Sequence, residues 1–145
     1  MLEASREPLC SLPLREGLTA YVEAGCDWAK DQAEVMRLFA RAAYHGDPSL
    51  TEKLVRPVAK AMRDLVRAML EAAARRGETD PALDLDAVAG VVHSLTAVMG
   101  DAQMLPHLGA YLQLTDETID AGRSLREALA LLLRGLERKP EAPRG

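Results

Sequence analysis

Three histidines, two cysteines and one run of cations are the residues of this 145-residue chain whose types could support chemistry. A metal site in a helical bundle takes His and Glu three or four residues apart, so that both face one side. None of His45, His93 and His107 has such a partner: the nearby acids are Asp47 and Asp101, and no Glu stands in helical register. His45 falls in the turn His45-Gly46-Asp47-Pro48 and reads as solvated. His93 is the one polar ring in a nearly apolar stretch, beside Ser94 and Thr96. It reads either as a satisfied core or interface residue or as a pocket group that hydrogen-bonds a ligand. Cys10 and Cys26 show neither metal nor redox spacing and read as reduced thiols. Lys53, Arg56, Lys60, Arg63 and Arg67 form a basic stripe broken by Asp64 and Glu71. That pattern is a solvent face, with attraction of an anionic ligand as the alternative. The sequence holds no glycine-rich phosphate loop, no G-x-S-x-G and no paired acids within an apolar run. The expectation is a protein that is no enzyme, with no catalytic residue, no metal and no cofactor.

Large adaptable side chains are the other resource. Six methionines accompany few aromatics, a combination that suits ordinary core and also an apolar pocket that adapts to its occupant. If there is a pocket, its expected lining is Trp28, Phe39, Met62, Leu65, Met69, His93, Met104 and Tyr111. It would lie among the first four full helices, with Pro106 to Tyr111 as its lid.

The elements that must position these residues are helices. Hydrophobic residues make up 48% and charged residues 28%, a globular balance, while aromatics are 3% and Ala and Leu dominate, which favours an all-α fold. One domain is the natural count at this length. A net charge of -4 does not suit a chain that holds nucleic acid by itself. No run approaches the ~20 apolar residues of a membrane span. MLEASREPLC lacks the basic start and apolar core of a secretory signal, so the expected location is the cytoplasm.

In chain order, residues 1–13 read as a linker or the remnant of a connecting helix, with a short helical piece from Leu2 to about Glu7. Residues 14–139 form the helical domain and 140–145 a flexible tail. A first full helix spans Leu14 to about Lys30. A second, capped by Asp31, runs to Tyr44 with Val35, Met36, Leu38, Phe39, Ala42 and Ala43 inward. The longest runs from Ser49, its expected N-cap, to Arg76, and Gly77 stops it. Pro57 predicts a kink near Leu54–Arg56. Asp84 or Asp86 caps a fourth helix reaching Met104. A short helix or lid follows from Pro106 to Leu114, then a last helix from Thr115 or Asp116 to Arg138. The expected architecture is an antiparallel bundle of five or six helices.

Two of these helices carry more apolar surface than one neighbour needs. The fourth is apolar nearly all round, and the last has Gly122, Leu125, Leu129, Leu132 and Leu136 at the spacing of a helix–helix seam, with Leu131 and Leu133 beyond it. A shared four-helix interface between two copies explains both, and Gly90, Ala97 and Gly122 would allow close approach. The alternative is that both helices are central in a monomer.

The order of elements, LREGLTAYVEAGCDWAKDQAEVMRLFARAAYHGDPSLTEKL, a long helix closing at ARRGETD, then DLDAVAGVVHSLTAVMGD and a leucine-rich final helix, resembles the C-terminal regulatory domain of the TetR family of bacterial transcription regulators. The resemblance covers about Leu14 to Lys139. It implies a homodimer through the fourth and last helices and a small apolar ligand whose binding shifts the population of helical arrangements. It also implies DNA binding, as a repressor, by an N-terminal helix-turn-helix domain. That domain is absent from this sequence. MLEASREPL resembles the helix that joins the two halves, so the expectation is a piece of a longer regulator, or else a protein that lost its DNA-reading head. A different class of function, a helical protein–protein interaction module without a ligand pocket, would use the same apolar surface.

Overall fold

The computed structural model describes residues 2–113 and 121–137, and every regular element among them is helical. The fold is an all-α bundle, as an Ala- and Leu-rich chain with few β-branched residues dictates. The elements are α1 (Leu2–Ser11), α2 (Leu14–Asp31), α3 (Ala33–His45), α4 (Pro48–Leu50), a π-helical turn (Thr51–Val55), α5 (Arg56–Arg75), α6 (Leu85–Met104), α7 (Pro106–Leu112) and α8 (Ala121–Leu136).

The central helix begins two residues before its expected cap. Asp47, not Ser49, accepts the Leu50 N–H, and Pro48 occupies the first helical position, where its missing donor is not needed. The interruption expected from Pro57 is a π-helical turn over Thr51–Val55, in which the Arg56 N–H reaches the Thr51 carbonyl. Pro57 has no N–H for the carbonyl four residues back and its ring crowds that group. Widening the preceding turn resolves both problems without breaking the helix. At the other end Gly77 takes φ 75°, a left-handed stop that costs glycine nothing.

Helix α5 packs against α1, α2 and α6, while α6 also meets α3, α7 and α8. The core lies where these faces meet. Leu14, Leu18 and Tyr21 of α2 close on Leu65, Val66, Met69, Leu70 and Ala73 of α5, with Ala89 and Val92 of α6 and Leu129, Leu133 and Leu136 of α8. Leu18, Val66, Leu70, Val92 and Leu133 are essentially sealed, each contributing about 1.5–3 kcal/mol by leaving water.

Two boundaries and one buried face differ from the sequence reading. Helix α1 continues through Pro8 to Ser11, further than Glu7. Gln32, not Asp31, stands at the start of α3 and makes no side-chain cap, because α2 keeps Asp31 as its own last residue. Helix α3 buries only part of the expected face: Ala42 is buried, with Ala40 beside it, and Met36 and Phe39 are half-buried, whereas Val35 and Leu38 are 51% and 54% exposed. Thr115, Asp116, the residues beyond Glu137 and the expected tail at 140–145 lie outside the described residues.

Candidate functional site

Helix α3 sets Arg37, Arg41 and His45 at steps of four, which puts all three on one face. They line a recess of about 520 Å³ whose other walls are Met104, Leu105, Pro106 and His107. These last four form the joint between α6 and α7. Leu105 must be extended because a proline follows it, and its φ of -112° and ψ of 98° meet that demand. The Leu105 N–H still reaches the Asp101 carbonyl, and its own carbonyl accepts from the Gly109 N–H. The chain therefore bends here with Leu105 bonded through both its N–H and its carbonyl, and Pro106 starts α7 as its first residue. Across the bend the Tyr44 hydroxyl donates to Asp101 Oδ2 at 3.0 Å, tying the end of α3 to α6. Burial holds the Asp101 carboxyl above its usual range, opposed by that hydrogen bond.

The two arginines differ from the cations of the central helix. Arg56 pairs with Glu52, Lys60 with Asp64, and Arg67 with Glu71 and Asp86. That stripe is a solvated face in which three of five cations are matched by carboxylates, and Arg63 donates to the Asp86 carbonyl. Among the described residues Arg37 and Arg41 have no carboxylate partner. Two arginines at i and i+4 repel, which disfavours the helix by a few tenths of a kcal/mol. Two acids at the ends of α3 and α6 are engaged elsewhere: Asp101 by Tyr44, and Asp47 by the Leu50 N–H.

Of the residues expected to line a ligand pocket, Met104 lines this recess. Leu65 and Met69 are buried in the core, and Met62 packs against its edge. Phe39 is half-buried on α3, Trp28 is 38% exposed on α2, and Tyr111 is 83% exposed on α7. His93 is half-buried on α6, and its Nδ1 is enclosed without a hydrogen-bond partner among the described residues. Burial, reinforced by Arg63, holds its pKa below the usual histidine value, which favours the neutral ring. Pro106, expected in a lid, lines the recess; sequence reasoning missed Arg37, Arg41 and Leu105. The signal it could have used was the i, i+4 spacing of two arginines in a segment with one acid, Glu34.

A second surface lies on the outside of α6 and α8. Ala87, Val91, Ser94 and Val98 are exposed at steps of four, three and four along α6, and Val91 is 58% exposed. Gly90 and Ala97 flank them half-buried. A methyl group added at Gly100 or Gly135 would meet nothing within contact distance. On α8, Leu131 is 66% exposed, whereas Leu125, Leu129 and Leu136 turn into the core of their own chain and Leu132 packs at its edge. The surroundings of Gly122 lie outside the described residues.

Among the described residues no cluster of His, Cys, Asp or Glu is placed to hold a metal ion. A family model described as tetracyclin repressor-like, C-terminal domain, matches residues 12–99. That span takes in α2 to α5 and most of α6 and stops before α7 and α8. Neither curated proteins nor solved structures gave a match.

Proposed function

The chain belongs to the family of tetracyclin repressor-like C-terminal domains, and from that premise we propose that it is the effector-sensing, dimerising part of a bacterial transcription regulator. In this reading it catalyses nothing. A small ligand with an apolar body binds one arrangement of the helices better than another, and the shift it produces is limited by that difference in affinity. A helix-turn-helix domain joined through α1 would read the DNA and respond as a repressor. A cytoplasmic location goes with such a role. Among the described residues no helix is long and apolar enough to cross a membrane.

The observation that carries the dimer is the outer stripe of α6. Val91 and Val98 stand exposed among small residues on a helix whose opposite side, Ala89, Val92 and Met99, is already buried. A helix apolar on both sides gains by covering the second, and Leu131 on the adjacent α8 extends the same surface. Two copies related by a two-fold axis would stack α6 and α8 against their counterparts. In this reading the partner lies on the Val91–Leu131 side. The leucines at 125, 129 and 136 serve the fold of each copy.

Sedimentation equilibrium tests the proposal. The protein is expected to be a dimer at micromolar concentration. Leu131→Arg is expected to leave helix content intact and give a monomer, because an unpaired charge in a contact between subunits costs several kcal/mol. Leu129→Arg instead unfolds the chain. A wild-type monomer, or a Leu131→Arg dimer as tight as wild type, refutes this interface. A second reading, an interaction module without a ligand pocket, draws support from Leu65 and Met69, which the core consumes instead of leaving them for a ligand.

A further inference from the structure

We propose that the recess between α3 and the α6–α7 bend is an oxyanion site: Arg37 and Arg41 hold a carboxylate or phosphate group whose apolar chain lies over Met104, Leu105 and Pro106. This deepens the effector-sensing reading and rests on it, by naming the chemical class of the effector.

Three observations converge. The first is uncompensated charge. In a chain of net charge -4, the arginines at 37 and 41 share a helix face with no carboxylate partner among the described residues, although acids outnumber bases overall. An anion laid between them removes their repulsion, and each guanidinium offers parallel N–H donors that match two oxygens of one headgroup. The second is the wall opposite. Met104, Leu105 and Pro106 present apolar surface, and a methionine adapts to chains of different shape. The third is size. About 520 Å³ accommodates a headgroup with a medium chain, within the range of small-molecule sites. His45 and His107 stand at the two sides of the recess and report on its occupancy.

The test uses the intact protein and proton NMR of its three histidine rings, with decanoate, decyl phosphate, inorganic phosphate and decanol as probes. Decanoate or decyl phosphate is expected to shift the His45 and His107 ring resonances saturably and to leave His93, which does not line the recess, unmoved. The stronger of the two identifies the headgroup. Inorganic phosphate and decanol, each with half of the required chemistry, are expected to bind about tenfold more weakly or worse. Replacing both arginines, Arg37→Gln with Arg41→Gln, is expected to weaken the charged amphiphile about tenfold or more while the helix content stays the same. Decanol binding as tightly as decanoate, an unchanged affinity in the double variant, or shifts confined to His93 each overturns the proposal. A dimer that ignores every anion refutes the site and leaves the regulatory reading standing. A monomer that still takes decanoate at His45 and His107 does the reverse.

Discussion

The two ends of the bundle are built on opposite terms. At one end, where α1 passes into α2 and α5 ends, a set of charges is used internally. Arg76 donates to the carbonyls of Cys10 at 2.9 Å and Leu12 at 2.7 Å, the last acceptors of α1 and its linker. Its Nε pairs with Glu78, and Glu78 Oε2 in turn accepts the Leu14 N–H at 2.7 Å, the first donor of α2. Arg15 reaches across to Glu137, and the Asp80 N–H meets the Leu136 carbonyl, so the end of α8 is gathered into the same knot. Gly17 completes it: a β-carbon there would sit 2.9 Å from the Leu9 carbonyl oxygen, so α1 and α2 approach as closely as they do only without one. At the other end, around α3 and α7, Arg37 and Arg41 go unmatched among the described residues, and Val35 and Leu38 face outward. The contrast separates holding from binding. A junction that must not move satisfies its polar groups from within, and a surface that takes a ligand leaves some of them open.

Substitutions at the two ends sharpen this contrast. Arg76→Ala is expected to have the largest effect, about 2 kcal/mol lost in urea unfolding, because two helix-end carbonyls lose charge-assisted donors and Glu78 loses its counter-ion. A loss no larger than that of a surface arginine such as Arg75→Ala would show that the knot is incidental. Glu78→Gln comes next, with a cost that depends on pH. The Arg76 hydrogen bond, helped by the Leu14 N–H and opposed by partial burial, holds the Glu78 carboxyl below its usual range. Its contribution is therefore fully present above the unfolded glutamate pKa of about 4.3 and disappears as the pH falls through the lower folded value. Wild type and variant should converge in stability in acid and separate at neutral pH; a constant gap would mean that the ionised form is not what matters. The smallest effect belongs to Asp101→Asn at the open end. Burial raises the Asp101 pKa, so its favourable contribution exists below the unfolded aspartate value and is lost as the pH rises through the folded one. The amide keeps an acceptor for Tyr44 without the charge. Its melting temperature should match or slightly exceed that of wild type at neutral pH, and a marked drop would show that the carboxylate itself anchors α3.

Much of the scaffold was legible because its signals are local. Asp84 accepts the N–H groups of Asp86 and Ala87 at the start of α6, and Gly77 ends α5, as cap chemistry within a few residues dictates. The knot was not legible. Arg76 satisfies the dipole rule for a last helical turn, and nothing in its neighbourhood reveals acceptors 64 and 66 residues away. The inward face of α3 was only partly read for a related reason. Val35 and Leu38 fit an apolar stripe as well as Ala42 does, and the choice between them is made by the α6 surface that meets α3. The recess shares that origin, since its walls come from segments some sixty residues apart and meet only after folding. The leucines of α8 show periodicity at its limit: spacing identifies a seam without saying whether the same chain or another copy fills it.

The widened turn at Thr51–Val55 fixes an angle. One surplus residue inside a helix rotates everything before it by about 100° relative to everything after it. The Asp47-Pro48 corner, and with it α3, therefore points where it does by virtue of a single inserted position. Deleting one residue there would yield a straighter rod and swing the two arginines to another compass bearing, away from the wall that now faces them.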